Sequence, residues 1–344
     1  MLRSHGHEVV AVLVGKSDSR EIPSFFMDKI GAPVAAFHSP NFTSFYKQKR
    51  PNIFMSVINN FSRPFIFRKS LLFIRQQIEN YQPDKVINFY EMITGMAYGI
   101  YRFDKKMGVQ MISVAHQYVL MNPNYKTTAE QDMKFYLLRM LSLITSNRAE
   151  KILALSFRDM PGSKEKRIVT VPPLLRSEVF ETTPVEGDYI HGYMLNAGYF
   201  DEVKAWHDSH PDVPLRFFWD KKDTEEVTQV DDNFTLHRLN DKQFLQSMAG
   251  CMGYATTSGF ESLCEALYYR KPVLMVPVHV EQEFNAYDAG LSGVGIAAKK
   301  FKLSKLIQFI PTYAPDTHFR EWVHQAEDRF MKEICGDYNP TESR

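Results

Sequence analysis

Residues 254–277 have the sequence YATTSGFESLCEALYYRKPVLMVP, and the pattern of this segment predicts the fold class of the chain. An apolar run ends in a loop of small residues, Thr257-Ser258-Gly259. A segment with apolar residues at helical spacing follows, and then a basic turn and a second apolar run at 272–276. The pattern predicts a strand, a loop, a helix and a second buried strand, which is the repeating unit of α/β folds.

The loop and the predicted helix have the properties of a phosphate-binding site. Small side chains at Thr257, Ser258 and Gly259 let the backbone approach a ligand closely. The helix that follows presents unpaired N–H groups and the positive end of its dipole. Glu265 falls in the second turn, where a carboxylate can accept hydrogen bonds from two vicinal hydroxyls of a ribose. The alternative for Glu265 is an exposed helix position without a ligand.

The same stretch resembles the donor-binding signature of GT-B glycosyltransferases. The similarity lies in SGFxSxxEAL at 258–267, KP at 271–272, VP at 276–277 and HVEQEFNA at 279–286. It is similar to the family 28 glycosyltransferases, among them the membrane-associated GlcNAc transferase of peptidoglycan synthesis, and to the plant and animal UDP-glycosyltransferases. The motif match covers residues 255–298, and the two-domain pattern extends the resemblance loosely over the whole chain.

The resemblance implies a role for each matching residue. The Ser258 and Gly259 amides would hold the diphosphate of a UDP-sugar, Glu265 the ribose, and Glu281 with Gln282 the transferred sugar. The next helix would begin at position 285. Glu281 and Gln282 could also belong to a solvated loop. The implied donor site comprises Thr257, Ser258, Gly259, Phe260, Glu265, His279, Glu281 and Gln282.

Strands and helical segments alternate along both halves of the chain. Apolar runs at 9–14, 32–37, 85–90, 110–114, 152–155 and 168–171 precede a Pro-Pro break, and further runs follow at 189–195, 215–219, 234–237, 253–255, 272–276 and 294–298. This predicts an α/β fold of two Rossmann-like doubly wound domains, the GT-B architecture, with ligands at the carboxyl ends of the strands. We expect an acceptor-side domain at 1–172, a linker at 173–187 and the nucleotide-sugar domain at 188–316. A C-terminal segment at 317–344, with one helix over 318–334, should pack back on the first domain.

The first residues resemble the end of a helix more than the start of a domain. Gly6 suits the left-handed cap of a helix, and a buried strand follows at once at 9–14. In an alternating fold such a helix should follow a strand and a ligand-facing loop. We therefore expect the N-terminal domain to lack its first β-strand, which would leave two inner strand edges unpaired or force them together. The alternative is a domain that starts with a short helix.

Two motifs of the N-terminal half follow predicted strands, NFYE at 88–91 and SVAHQ at 113–117. His116 could be the general base for an acceptor hydroxyl, because the ordinary pKa of histidine is about 6.5. Glu91 could serve instead if burial raised its pKa. In the resembling families the usual base lies in the loop after the first strand, which this sequence is expected to lack. His116 could equally be a structural or acceptor-binding histidine.

Composition limits the other function classes. The chain has 344 residues, a formal net charge of +1, and three widely spaced cysteines without a C-x-x-C pair. The near-neutral charge disfavours a nucleic-acid partner, and the cysteine spacing disfavours a disulfide framework or a zinc cluster. Because no D-x-D pair ends a strand, we expect no metal and no cofactor besides the nucleotide-sugar substrate. No apolar run has the length of a membrane span, so the expected location is the cytoplasm.

Residues 41–78, the basic aromatic segment, contain seven Lys and Arg and eight Phe and Tyr but no acidic residue. Such a surface can bind an anionic membrane, because the aromatic rings enter the interface and the cations face the lipid headgroups. The segment thus favours a peripheral membrane location at the inner face and a lipid-linked acceptor. The alternatives are partly buried helices with solvated cations and, less favoured, an RNA contact.

These features together predict an inverting, metal-independent transfer of a sugar from a UDP-sugar to an acceptor hydroxyl. One rival is a non-catalytic sugar-nucleotide-binding remnant, and another is a membrane-surface scaffold that keeps the fold. A third is a sugar-nucleotide 2-epimerase of the same architecture, although the Arg- and acid-rich signature expected around its glycine loop is absent from this sequence. Nucleotide binding separates the scaffold from the others, and turnover separates the enzyme from the remnant.

Overall fold

A computed structural model of the chain describes residues 1–16, 22, 27, 30–39, 64–125, 133–195, 197–219, 221 and 224–336. The chain folds as two compact units. The first takes its described residues from Met1 to Val171 and from Gln325 to Gly336, and the second from Pro172 to His324. Residues 40–63, the larger part of the basic aromatic segment, lie outside the described ranges, as does the tail at 337–344.

Parallel strands and helices alternate through the first unit. Its described strands are β1 (Val12–Lys16), β2 (Val34–His38), β3 (Lys85–Asn88), β4 (Gln110–Ala115), β5 (Lys151–Leu155) and β6 (Ile168–Val171). Its helices, up to the boundary with the second unit, are α1 (Pro64–Tyr81), α2 (Met92–Tyr101), α3 (Phe103–Lys106) and α4 (Met133–Thr145). Strands β3 to β6 form one sheet in chain order, and β1 pairs with β2 in a sheet of its own.

The strands on either side of the expected gap do not pair with each other. Within the described ranges, β1 bonds only to β2, and β3 bonds only to β4. A side-chain contact joins the carboxyl ends of the two sheets, because the Ser39 hydroxyl donates to Glu91 Oε1 at 2.6 Å. The inner edges of β1 and β3 are therefore without a strand partner in this part of the chain, and the missing first strand stays a prediction.

The second unit is built on one seven-stranded sheet, counted over its described residues. The strands are β7 (Ile190–Met194), β8 (Leu215–Trp219), β9 (Val227–Asp231), β10 (Phe234–Arg238), β11 (Gly253–Thr256), β12 (Val273–Met275) and β13 (Gly295–Ala297), in the order β13-β12-β11-β7-β8-β10-β9. All neighbours are parallel except β9, which pairs antiparallel with β10. The sequence patterns missed β9, because its residues alternate between exposed and half-buried and form no apolar run.

Helices connect these strands on the pattern expected for a doubly wound sheet. They are α5 (Ser177–Glu181), α6 (Phe200–His207), α7 (Asp241–Ala249), α8 (Phe260–Tyr268), α9 (Val280–Leu291), α10 (Leu303–Phe309) and α11 (His318–His324). The start implied for α9 at position 285 is wrong, since the helix already begins at Val280. His279 is extended at its N-terminal boundary, and Glu281 and Glu283 suit the positive end of the dipole.

The expected single helix over 318–334 is also wrong, because α11 ends at His324 and α12 (Ala326–Cys335) begins after Gln325. The apolar period runs across this break, so periodicity alone could not locate it. Phe330 and Ile334 of α12 enter a core formed with residues of β4, β5 and β6. Lys151 of β5 also forms an ion pair with Glu333 of α12 at 2.9 Å. The final helix thus belongs to the first unit.

A histidine lies in the middle of the second unit's sheet. The His191 side chain, on β7, is fully buried, with the rings of Phe218, Phe244 and Tyr254 within 5.2 Å between centroids. Its Nδ1 lies 2.9 Å from Ser247 Oγ. Burial, together with smaller contributions from the charges of His237 and Arg216, lowers the pKa of His191 to about 3.

This histidine should make the unit acid-sensitive. An unfolded histidine takes up a proton near pH 6.5, whereas the folded ring resists protonation down to about pH 3, so stability falls as the pH falls through this window. We expect a loss of about 2 kcal/mol from His191 between pH 7 and pH 5. Urea unfolding of the wild type and of His191→Phe at several pH values in this range gives the free energy of unfolding as a function of pH. The slope of this dependence should be smaller in His191→Phe than in the wild type. Equal slopes would show that His191 does not set the acid response.

Candidate functional site

The loop before α8 has an unusual backbone. Ser258 has φ +70°, in the left-handed region that non-glycine residues rarely adopt. Two hydrogen bonds hold it there: its N–H donates to Thr256 Oγ1 at 3.3 Å, and its carbonyl accepts from Asn285 Nδ2 at 3.1 Å. Strained backbone of this kind persists where the surroundings fix it, and it is concentrated at binding sites.

Three polar atoms converge around this loop without a protein partner. Thr257 Oγ1, Ser258 Oγ and Asn285 Oδ1 are buried and unbonded within the described chain. Buried polar atoms are nearly always paired, so the missing hydrogen bonds of such a cluster come from a ligand or from water. A Cβ atom at Gly259 would meet only Ser262 Oγ, at 3.5 Å, so protein packing leaves open space beside the N-terminus of α8. The two hydroxyls and the N-terminus of α8 can donate hydrogen bonds and therefore fit a phosphate group, whereas Asn285 Oδ1 can only accept and requires a donor.

A cavity of about 570 Å³ lies beside the same helix. It is lined by Leu174, Leu175, Arg176, Tyr193, Leu239, Asp241, Phe244, Glu261, Ser262 and Glu265. All these residues belong to the second unit, and the lining combines apolar walls with a few charged groups, as is usual for small-molecule sites. Of the lining residues Arg176 and Glu265, only Glu265 was predicted from the sequence. That arginine follows the Pro-Pro break, in a stretch that the patterns indicated only as a linker.

Glu265 is buried in this lining and forms an ion pair. Arg176 Nε donates to Glu265 Oε1 at 2.7 Å, and a second guanidinium nitrogen of Arg176 lies 3.4 Å from Asp241 Oδ1. Burial raises the pKa of Glu265, and the guanidinium opposes that shift. The exposed-helix alternative for Glu265 is thereby excluded, since only 5% of the residue is accessible.

The remaining predicted donor residues lie at the start of α8 and α9. Phe260 begins α8, and His279 immediately precedes α9, where burial lowers the pKa of its ring. Gln282 is buried and its Oε1 accepts from the Val278 N–H at 3.0 Å, which ties the first turn of α9 to the preceding loop. Glu281 is half-buried in the same turn. The hydrogen bond from Asn285 to Ser258 joins α9 to the loop before α8, but His279, Glu281 and Gln282 do not line the cavity.

The two candidate bases lie in the first unit, at the carboxyl ends of β3 and β4. Glu91 caps α2: its Oε2 accepts from the Thr94 N–H at 2.6 Å while its Oε1 accepts from Ser39. His116 is 2% exposed, and its Nδ1 lies 2.8 Å from the Leu155 carbonyl oxygen. A carbonyl can only accept, so Nδ1 carries the proton and the lone pair is on Nε2 in the neutral ring. The base role of either residue stays a prediction.

The described ranges contain neither a metal-binding cluster nor a membrane-spanning helix. No set of three or more His, Cys, Asp and Glu side chains there is arranged to hold a metal ion. No helix in the same ranges combines the length and the apolar character needed to cross a membrane.

Comparison with known proteins identifies the family. The family described as glycosyl transferase family 1 matches residues 5–312. The chain belongs to this family. It is a glycosyltransferase with the α/β fold of GT-B enzymes, which confirms the resemblance drawn from residues 255–298 and the predicted fold class. No curated protein matched the chain in a sequence search.

Solved structures of glycosyltransferases share the fold over most of the length of this chain. The glycotransferase of kitacinnamycin is 16% identical, with 95% of this chain and 88% of that chain covered and a TM-score of 0.57. Arabidopsis thaliana UGT89C1 complexed with UDP-L-rhamnose is 15% identical, with 95% and 91% covered and a TM-score of 0.57. Medicago truncatula UGT71G1 complexed with UDP-glucose is 9% identical, with 94% and 87% covered and a TM-score of 0.56. At these identities the likeness concerns the fold.

Proposed function

We propose that this glycosyltransferase moves a sugar from a UDP-sugar to an acceptor hydroxyl, with inversion and without a metal ion. The observation that carries the proposal is the cluster of unpaired buried polar atoms on the loop before α8, next to the cavity that contains Glu265. Thr257 Oγ1 and Ser258 Oγ of this cluster can donate to a diphosphate, and the Glu265 carboxylate can accept from a ribose. Solved structures of the same fold contain UDP or UDP-sugars, which supports uridine as the nucleoside.

The geometry suggests how the donor is activated. The Ser258 and Gly259 amides and the first N–H groups of α8 would bind the diphosphate, and the dipole of α8 would stabilise its charge as the sugar departs. Thr257 Oγ1 and Ser258 Oγ can donate hydrogen bonds to the same oxygens. These donors replace the metal ion that other transferases use. Glu281 and Gln282, at the start of α9, are proposed to contact the sugar hydroxyls.

Direct displacement at the anomeric carbon requires a base on the acceptor side. His116 and Glu91 are the proposed candidates, both at the ligand end of the first unit's sheet. A neutral His116 whose Nδ1 donates to the Leu155 carbonyl has its lone pair on Nε2, as a base requires, whereas the hydrogen bonds to Glu91 support its role as a helix cap. Of the two, the geometry favours His116.

The proposed function is tested first by isothermal titration of UDP into the purified chain, with and without EDTA. Binding that EDTA leaves unchanged is expected, because backbone amides and hydroxyls hold the diphosphate. Release of UDP from a UDP-sugar then separates the enzyme from a binding remnant. Absence of UDP binding by the folded chain would contradict the proposal.

We further propose that the acceptor is presented at a lipid surface, because a group of neighbouring helices in the first unit exposes apolar side chains. Helix α1 packs on α2, and α2 packs on α4. On α1, Phe65 and Leu72 are exposed beside Arg68 and Lys69. Helix α4 has no acidic residue and exposes a stripe at helical spacing, Met133, Tyr136, Met140 and Leu143. Apolar side chains flanked by cations fit an anionic membrane interface.

Removing two cations from α1 should weaken membrane binding. Each lysine or arginine near an anionic surface contributes about 1 kcal/mol, so Arg68→Gln with Lys69→Gln should lower the affinity for phosphatidylserine vesicles roughly 30-fold. Co-sedimentation with vesicles measures the change. Lys299→Gln with Lys300→Gln removes the same charge from exposed positions of the second unit and is the matched control. Equal binding by both double variants and the wild type would contradict a docking role for α1.

A further inference from the structure

Glu265, the proposed ribose ligand, uses one of its two carboxylate oxygens in a hydrogen bond within the protein. Arg176 Nε donates to Oε1, whereas Oε2 accepts no hydrogen bond from any described residue. The glutamate side chain is 6% exposed and forms part of the cavity lining. One carboxylate oxygen is thus held by the protein, and the other remains for a ligand in the cavity.

The surroundings of this carboxylate disfavour its charge. Glu261 on α8 and Asp241 at the start of α7 are acids, and both raise the pKa of Glu265 further after burial has raised it. Tyr254 on β11, Cys264 on α8 and Tyr269 at the end of α8 are the other titratable neighbours, and burial raises the pKa of each so that they are neutral. Among the described groups that shift the pKa of Glu265, Arg176 is the only cation.

Arg176 reaches the carboxylate from a different part of the chain. It precedes α5 in extended conformation, 89 positions from Glu265 in sequence. The same guanidinium faces Asp241, 3.4 Å away, and Glu178 also acts on it from α5. A planar guanidinium held between two carboxylates has a fixed orientation, and it therefore fixes the rotamer of the buried partner.

We propose that Arg176 is a positioning residue of the donor site, which keeps Glu265 ionised and oriented so that Oε2 accepts the hydroxyls of a nucleotide ribose. This inference rests on the proposed function. A protonated Glu265 would carry a hydrogen on the group that must accept, and a neutral carboxyl is a weaker acceptor than a carboxylate. Without Arg176, nothing would oppose burial and the two neighbouring acids, and the pKa of Glu265 would rise further.

The test is the pH dependence of UDP affinity in Arg176→Gln, Arg176→Lys and the wild type, between about pH 6 and pH 8. The terminal phosphate of UDP titrates near pH 6, so each variant is compared with the wild type at the same pH. We expect the ratio of Arg176→Gln to wild-type Kd to grow about tenfold as the pH falls through this range. Arg176→Lys retains the charge and should keep a constant ratio.

Two further variants separate the proposal from a structural effect. Glu265→Gln imitates the protonated glutamate, and it should bind UDP weakly with no added pH dependence. Asp241→Asn removes the exposed carboxylate beside Arg176 but keeps the Arg176–Glu265 ion pair, so the ratio of its Kd to that of the wild type should not change with pH. A loss in Arg176→Gln that is the same at every pH, or a loss in Arg176→Lys that grows equally at low pH, would overturn the proposal. A folded wild type that does not bind UDP would contradict the proposed function instead.

Discussion

Replacing Glu265 by alanine should weaken UDP binding by about 1–3 kcal/mol, or roughly 5- to 150-fold, since the ribose hydroxyls would lose a buried acceptor. The size of the loss follows from burial: Glu265 is 5% exposed, so water cannot readily replace the carboxylate in the complex. The substitution also leaves the guanidinium of Arg176 with only the more exposed Asp241 as its partner. Isothermal titration of both proteins at the same pH measures the difference in affinity.

The matched control for this substitution lies one turn earlier on the same helix. Glu261 is exposed, lines the same cavity and lies in the first turn of α8, where its charge complements the helix dipole. Glu261→Ala removes an identical charge at nearly the same place, but it should change UDP affinity by less than about 0.5 kcal/mol. Equal losses in the two variants would indicate a general electrostatic effect and would remove the ribose role from Glu265. Thermal unfolding of each variant confirms that the comparison is made on folded protein.

The strand–loop–helix part of the donor site could be predicted from the sequence because its signals are local. Thr257, Ser258 and Gly259 are consecutive, and Glu265 lies six residues after Gly259 in the predicted helix. All four residues therefore belong to one short segment of sequence. The left-handed conformation of Ser258 was not predicted, since serine has no general preference for it. It depends on Asn285, 27 positions away, whose amide holds the Ser258 carbonyl.

Features that depend on contacts distant in sequence could not be predicted. The partner of Glu265 is Arg176, and nothing in the residues around either one indicates the other. Glu91 was singled out as a candidate base because it follows a strand, and the same position makes it the cap of α2. Strand β9 was not predicted because it is an edge strand with one side facing solvent, and such a strand needs no apolar run. It is held by its hydrogen bonds to β10.

Gly95→Ala should be among the most destabilising single substitutions in the first unit. Gly95 lies in the middle of α2, where this helix crosses α4. A Cβ atom there would overlap the Ile144 carbonyl oxygen and would lie 2.8 Å from Thr145 Cα. Both atoms belong to the backbone of α4, so the clash cannot be relieved by rotating a side chain. The end of α4 must move, and Thr145 is bonded through its carbonyl to Asn88, at the end of β3.

We expect this substitution to lower the free energy of unfolding by about 3 kcal/mol, the upper part of the range for overpacked sites, despite the better helix propensity of alanine. Gly290→Ala is the matched control, because Gly290 is also helical, in α9, and a Cβ there meets nothing within 4 Å. At that position the propensity gain of up to about 1 kcal/mol is unopposed, so the variant should be slightly more stable than the wild type. Thermal unfolding of both variants measures the sign of each change in stability relative to the wild type. If Gly95→Ala also stabilised the protein, α2 and α4 would not be in contact at this crossing, and the helix group proposed to meet the membrane would lose its central contact.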